Sequence, residues 1–167
     1  MKLKNLLPFI MLLCLATPLL AQDRGKSEAT IKGKKISINY GRPSLKGRDL
    51  LSLAPTGTVW RLGMNQATEI ETAANLNVGG KTVPAGKYTL WAKKTGDSTW
   101  VLGFHPKTGV WGAPALKDGY VAELPMKLET ASNSAEQLEI AVAEGKGKGW
   151  IKVHWGTAVL SGSFDVN

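Results

Sequence analysis

The sequence predicts an all-β protein that folds as a single antiparallel β-sandwich of jelly-roll type, with about eight or nine strands. Stretches in which apolar and polar residues alternate recur along the chain, and this period of two is typical of half-buried strands. The 19 glycines supply turn positions between these stretches. No convincing amphipathic helix, no repeat and no second apolar unit is apparent, so we expect one domain over residues 29–167.

The N-terminal segment, residues 1–21, predicts a secretory signal peptide. Lys2 and Lys4 precede an apolar stretch at 6–20, and Ala21 stands at the expected cleavage position. The apolar stretch spans about 15 residues, whereas a membrane-spanning helix needs about 20, so no stable membrane anchor is expected. We therefore expect a periplasmic or secreted protein.

Two further expectations concern this end of the chain. Cys14 raises the alternative of a lipoprotein signal, but the preceding Leu13 is too large for that cleavage. Cleavage after residue 21 would remove this only cysteine, so no disulfide and no thiol chemistry is expected in the exported form. Residues 22–28 are polar and are predicted to be a flexible leader.

The net charge of +8 at pH 7 is moderately basic. The lysines are scattered along the chain and form no continuous stripe that would follow a phosphate backbone. We therefore predict no nucleic-acid partner. For an exported protein, weak attraction to anionic polymers of the envelope is the better expectation.

Alternation predicts six strands up to residue 104. Gly79-Gly80 predicts a tight hairpin turn, and the loop at 94–98 joins two strands rich in aromatic and branched residues. These strands are expected at 35–40, 68–72, 75–78, 82–83, 87–92 and 100–104.

Three strands are predicted in the last third of the chain, at 119–128, 137–143 and 150–155. Pro125 interrupts the first of them and places that part at a sheet edge or bulge. A helix is an alternative for 135–142, because Ala, Glu, Gln and Leu favour helices. The strict alternation and the glycine-rich sequence that follows favour a strand.

The segment 60–69 interleaves bulky and polar side chains more densely than any other. If it is extended, Arg61, Gly63 and Asn65 project from one side, and the guanidinium and amide could clasp a carboxylate, phosphate or sugar hydroxyl pair. The alternative is structural: an ion pair between Arg61 and Glu69, with Asn65 fixing a turn.

Aromatic and histidine residues add further candidates. Trp111 lies in a loop and is predicted to be an exposed recognition ring, whereas the other five tryptophans lie in strand patterns and are expected in the core. His105 follows a strand and is the best candidate for a general base, while His154 is expected to be a packed, hydrogen-bonded strand residue. Arg42 stands on a stiff support at a strand end before Pro43.

Several classes of chemistry find no support in the sequence. Neither histidine has a second ligand at a close metal-binding spacing, and no serine-hydrolase elbow or phosphate-binding glycine loop is present. Glu69 and Glu71 lie on one face of a single strand, where a ladder with lysines or threonines explains them better than paired-acid catalysis. We expect no metal and no cofactor.

Several motifs occur in a specific order along nearly the whole chain after the signal peptide. They are Tyr40-Gly41-Arg42-Pro43, Gly47-Arg48, Trp60-Arg61-x-Gly63-x-Asn65-x-Ala67-Thr68, Pro84-Ala85-Gly86-x-Tyr88, Trp111-Gly112 and Trp155. In order and spacing they resemble the exported bacterial proteins of Domain of Unknown Function family 2911. The resemblance implies a secreted or periplasmic β-rich domain and supplies no activity.

The favoured hypothesis is a non-catalytic binding or interaction module that recognises an envelope glycan, a peptide or a small anion. One alternative is a small hydrolase or lyase with Arg61 as an electrostatic clamp and His105 as base. Another is a purely structural envelope protein. The candidate ligand-binding residues are Arg42, Arg61, Asn65, Thr68, Glu69, His105 and Trp111.

Overall fold

The computed structural model describes residues 23–49 and 51–167, so the predicted signal peptide lies outside the described residues. Within them the protein has ten strands and no helix, which confirms the all-β prediction. None of the described segments forms a helix long and apolar enough to cross a membrane. The strands are β1 (Arg24–Ile31), β2 (Lys34–Gly41), β3 (Val59–Trp60), β4 (Thr68–Thr72), β5 (Leu76–Val78), β6 (Lys81–Val83), β7 (Gly86–Lys94), β8 (Thr99–His105), β9 (Ala122–Gly145) and β10 (Lys148–Val166).

The strands form one sheet in the order β1-β2-β4-β7-β8-β9-β10-β5-β6, with β3 beside β7. Every neighbouring pair is antiparallel. The sheet curls until β1 lies beside the second half of β9, where Val142 N donates to Ser27 Oγ at 2.9 Å and Gln137 Nε2 to Asp23 Oδ2 at 2.7 Å. The antiparallel arrangement is confirmed, and the two-layer jelly-roll detail stays a prediction.

The core lies on the concave side of the curled sheet and is filled by alternate residues of the strands. Ile36, Ile38, Ile70 and Leu90 are completely buried there. The intervening residues of β1, β2, β4 and β7 therefore face outward, since successive side chains of a strand point to opposite faces. On β1, β2 and β4 those outward residues are mainly polar, and together with Lys87 of β7 they line the groove described below. Further along β7 the outward residue Trp91 is buried.

The predicted flexible leader is wrong from residue 24 onward. Arg24 begins β1, which pairs with β2 over its whole length, from Arg24 opposite Gly41 to Ile31 opposite Lys34. The inward positions of this strand are small because Gly25 lies against the ring of Tyr40: an added Cβ would be 2.5 Å from the Tyr40 Cζ atom. Close packing against that ring replaces the large apolar side chains that mark other strands.

In the last third of the chain, two long strands replace the three predicted ones. β9 continues through residues 129–136, where a break between two strands was expected. Its pairing with β10 shifts register on both sides of Gly156, as at a β-bulge. Pro125 pairs with Val101 of β8, whereas the ladder with β10 ends at Lys127 opposite Ser161. The stretch 135–142, for which a helix was an alternative, lies within β9.

The tryptophans divide differently from the prediction. Trp91, Trp100 and Trp155 are buried, and Trp60 is half-buried with its ring stacked on Trp155 at a centroid distance of 5.6 Å. Trp150 is 39% exposed, so its expected core position is wrong. It lies on the outward face of β10, between the buried Gly149 and Ile151, and its indole N–H donates to the Gly145 carbonyl at 3.1 Å.

Candidate functional site

Residues 61–67 leave the sheet between two short strands that share one partner. Trp60 pairs with Ala92 of β7, and Thr68, the next residue along the chain to pair with β7, lies opposite Leu90. In a regular strand a single residue, opposite Trp91, would separate these two pairs. Here the seven residues 61–67 take its place. This loop, called here the excursion, corrects the prediction of an extended segment with Arg61, Gly63 and Asn65 on one side.

Backbone conformation shows directly that the excursion is not extended. Leu62 has a φ of 51° and Asn65 a φ of 60°, both in the left-handed region, which an extended segment never visits. Thr68 is fully buried, and its Oγ1 donates to the Leu62 carbonyl oxygen at 2.5 Å. The predicted candidate Thr68 therefore fastens the excursion to the sheet, and its hydroxyl is not presented to a ligand.

Two glycines allow the excursion to approach the end of β2. A Cβ added at Gly41 would collide with the backbone of Met64, with Met64 N only 2.9 Å away. A Cβ at Gly63 would lie 2.9 Å from the Gly41 carbonyl oxygen. Gly41 of the motif at 40–43 and Gly63 of the motif at 60–68 therefore meet backbone to backbone.

A second loop, residues 109–112, lies along the other side of the excursion. Ala67 N donates to the Val110 carbonyl at 3.1 Å, and Gly112 N to the Asn65 carbonyl at 2.8 Å. Between these bonds Gln66 and Trp111 face each other in an antiparallel bridge. Trp111 is 54% exposed, which confirms its predicted exposure.

Arg42 and Arg61, two of the candidate ligand-binding residues, have separate surroundings. Arg61 packs over Gly112, where an added Cβ would be 2.7 Å from Arg61 Cδ. Arg42 lies at the end of β2, with its N–H donating to the Asp23 carbonyl at 2.9 Å and its Nη1 atom 3.8 Å from Asp23 Oδ1. The predicted ion pair between Arg61 and Glu69 is absent, because Glu69 bonds other groups.

The outward face of β1, β2, β4 and β7 forms a polar groove with a volume of about 590 Å³. Registered pairs bring its side chains together across the four strands: Lys26 lies opposite Asn39, Asn39 opposite Glu69, and Glu71 opposite Lys87. The groove is lined by Arg24, Lys26, Glu28, Lys35, Ser37, Asn39, Gln66, Glu69, Glu71, Thr72, Ala73 and Lys87.

Glu69 is the central carboxylate of the groove, with its side chain 17% exposed. Its Oε2 lies 2.6 Å from Lys87 Nζ, and its Oε1 accepts a hydrogen bond of 2.7 Å from Gly109 N. Burial raises the pKa of Glu69, but the hydrogen bond from Gly109 and the contacts with Lys87 and Arg24 outweigh it, so the pKa lies below its ordinary value. Glu69 is ionised at neutral pH.

Arg24 lies across the groove at the end nearest the excursion. Its Nε donates to Asn39 Oδ1 at 2.6 Å, while its terminal nitrogens reach the Gln66 and Ala67 carbonyls at only 3.4 and 3.5 Å. Burial lowers the pKa of the Arg24 guanidinium, against an opposing influence of Glu69, and an arginine remains charged at neutral pH.

At the far end of the groove, Glu28 lies 2.9 Å from both Lys26 Nζ and Lys35 Nζ. Hydrogen bonds from Lys35 and Lys26 lower the pKa of Glu28 to about 2. These groups are solvent-exposed, so the ion pairs contribute little to stability. Their effect is to keep Glu28 ionised over the physiological pH range.

His105 lies in the same cross-sheet row as the groove but outside it. It pairs with Thr89, and Thr89 pairs with Glu69. Its Nδ1 accepts a hydrogen bond of 3.0 Å from Lys107 N, and its ring packs edge to face with Tyr120. His154 is buried as predicted, but its Nε2 has no hydrogen-bond partner among the described residues.

Comparison with known families agrees with the motifs. Residues 23–164 match the model of a family described as "Protein of unknown function (DUF2911)". The chain belongs to this family. No curated protein and no solved structure matches it significantly. The DUF2911 region covers every strand of the groove, together with the excursion and the loop that carries Trp111.

Among the predicted site residues, the DUF2911 fold places Glu69 in the groove and Trp111 beside one of its lining residues, Gln66. Within the described part of the chain, no three His, Cys, Asp or Glu residues gather closely enough to hold a metal ion. Sequence reasoning missed Arg24, Asn39 and Lys87. A signal for them was present, because polar residues alternate on the outward positions of β1, β2 and β7, but it emerges only once the strand order is known.

Proposed function

We propose that this DUF2911 protein is an exported, non-catalytic binding module whose ligand lies in the polar groove. The observation that supports this most directly is the groove itself, which has the volume of a small-molecule site and side chains already held in place. Arg24 is fixed through Asn39, and Glu69 through Lys87 and Gly109. Such preorganisation reduces the entropy lost on binding.

The electrostatics of the groove favour binding over acid–base catalysis. Glu28 and Glu69 both have lowered pKa values, so neither holds a proton to donate at neutral pH, and both are weak bases. Arg61 and His105, the residues of the hydrolase or lyase alternative, do not line the groove. The groove therefore presents fixed charges and hydrogen-bonding groups without a catalytic pair.

A thermal-shift screen tests the proposal on the chain without residues 1–21. The panel contains maltotetraose, tetragalacturonate, trialanine and sodium phosphate at millimolar concentrations. We expect at least one of them to raise the melting temperature, since a ligand at about 100 times its Kd stabilises by about 2.7 kcal/mol. The charge-reversing change Glu71→Lys in the groove should alter the rise, increasing it for tetragalacturonate or phosphate because the added positive charge attracts an anion.

The matched control is Glu139→Lys, which makes the same charge change on the exposed part of β9. It should keep the ligand-induced rise. If no compound in the panel stabilises the protein, or if Glu71→Lys responds like the control, binding in the groove is wrong. Export is tested separately by N-terminal sequencing of protein recovered outside the cytoplasm, which should begin at Gln22.

A further inference from the structure

Trp111 stands at the end of the groove with its ring open to solvent. It is 54% exposed and lies opposite Gln66, which lines the groove. Side chains of residues paired in this way lie on the same side of the strands, with Cβ atoms about 5 Å apart. The indole therefore continues the polar surface with a flat apolar face.

The loop that carries Trp111 is held firmly in this position. Hydrogen bonds join Gly109 N to the Glu69 carboxylate, Val110 O to Ala67 N, and Gly112 N to the Asn65 carbonyl, at 2.7, 3.1 and 2.8 Å. The bonds flank Trp111 on both sides. An exposed aromatic side chain fixed by its backbone loses little entropy when a flat partner stacks on it.

The guanidinium of Arg24 reaches the backbone carbonyl of Gln66, the residue opposite Trp111. Its terminal nitrogens make only the long contacts to the Gln66 and Ala67 carbonyls, and no carboxylate lies within 4 Å of them among the described residues. A guanidinium binds a carboxylate through two parallel hydrogen bonds. Arg24 therefore has the capacity to bind one.

We propose that the ligand of the groove is an acidic oligosaccharide. One pyranose ring stacks on Trp111, a uronic carboxylate bonds the terminal nitrogens of Arg24, and the Gln66 amide bonds ring hydroxyls between them. This inference rests on the groove being the binding site. Positive residues still outnumber acidic ones after loss of Lys2 and Lys4, and this excess adds a long-range attraction for a polyanion.

The position of the groove argues against an extended peptide as its ligand. Peptides that add to a sheet bind through free backbone groups at an edge strand. Here β2 lies between β1 and β4, and β4 lies between β2 and β7, so their backbone groups already bond one another. What the groove offers is side chains alone, which suits a ligand rich in hydroxyl and carboxylate groups.

Isothermal titration calorimetry with tetragalacturonate tests the inference, with its fully methyl-esterified form as a neutral ligand of the same shape. Both Trp111→Ala and Arg24→Gln should weaken binding of the acid by at least about tenfold. The matched controls are Trp150→Ala, which removes another exposed indole, and Lys152→Gln, which removes another exposed positive charge. The controls should change the affinity less than about twofold.

Two results would overturn the inference while leaving the groove as a binding site. One is equal binding of the acid and its ester, or equal losses in the site and control variants. The other is stabilisation by trialanine or phosphate in the thermal-shift screen without binding of tetragalacturonate or of oligomannuronate, a second acidic probe. If no compound binds at all, the proposed function and this inference both fail.

Discussion

Lys87 bonds Glu69 and not Glu71, the residue directly opposite it in the sheet. The register pairs Lys87 with Glu71, yet Lys87 Nζ lies 2.6 Å from Glu69 Oε2, the diagonal neighbour. Glu71 has no ion-pair partner within 4 Å among the described residues. The fold therefore fixes the carboxylate of Glu69, whereas that of Glu71 is free to meet a ligand.

Loss of the Glu69 charge should make the protein less sensitive to acid. Because its pKa is lowered in the folded protein, Glu69 stabilises the fold fully above its unfolded pKa of about 4.3, and this contribution disappears as the pH falls through the lower folded value. Glu69→Gln should cost about 1 kcal/mol at pH 7 and almost nothing at pH 2. Urea unfolding between pH 2 and 7 measures the difference.

The control for that titration is Glu139→Gln, which neutralises an exposed carboxyl on β9. Its unfolding free energy should follow the wild type at every pH. A Glu69→Gln protein whose deficit stays constant from pH 7 to pH 2 would show that the charge of Glu69 does not contribute to stability.

Alternation along the chain was sufficient to predict most strands but failed at β1, for a physical reason. The outward positions of β1 alternate correctly, as Arg24, Lys26 and Glu28. Its inward positions begin with Gly25 and Ser27, which are small because the Tyr40 ring and strand β9 occupy the space above them. Where side chains of neighbouring strands fill the space on the buried side, the strand itself needs only small residues there, and its sequence lacks the alternating apolar pattern.

The candidate site was harder to predict than the fold. The unusual mixture of residues in the excursion suggested a ligand site, but Gly63 and Thr68 have structural roles there. Close packing of backbone against backbone requires particular residues, and such a requirement makes a motif stand out in the sequence just as a ligand site would. The groove combines Arg24 and Asn39, from the hairpin of β1 and β2, with Lys87 of β7, which is distant in sequence. Their proximity depends on strand order, and local patterns carry no information about it.

Substitution of Gly41 should be among the most damaging single changes outside the core. An added methyl group collides with the Met64 backbone, which cannot rotate away as a side chain can. Gly41→Ala should therefore destabilise by about 2 kcal/mol or more, as measured by urea unfolding. Gly80→Ala, with open space around it and a φ of 82°, should cost only about 1 kcal/mol. Equal losses would mean that the excursion moves freely.

Thr68→Val tests the bond that fastens the excursion. Valine keeps the shape but removes the donor to the Leu62 carbonyl, leaving a buried acceptor without this bond, at a cost of about 1–3 kcal/mol. The exposed Thr157→Val on β10 should change stability by less than about 0.5 kcal/mol. Hydrogen exchange of the excursion amides should also accelerate in Thr68→Val. Unchanged exchange together with unchanged stability would contradict the assigned role.

Arg61→Ala separates the two roles that the sequence left open for this arginine. Its side chain packs over Gly112 and does not line the groove, so truncation should cost about 1 kcal/mol through lost packing. The affinity for whichever compound stabilises the wild type should change by less than about twofold. A tenfold loss of affinity in a protein of unchanged stability would instead make Arg61 a ligand-binding residue, and would move the binding site from the groove to the excursion.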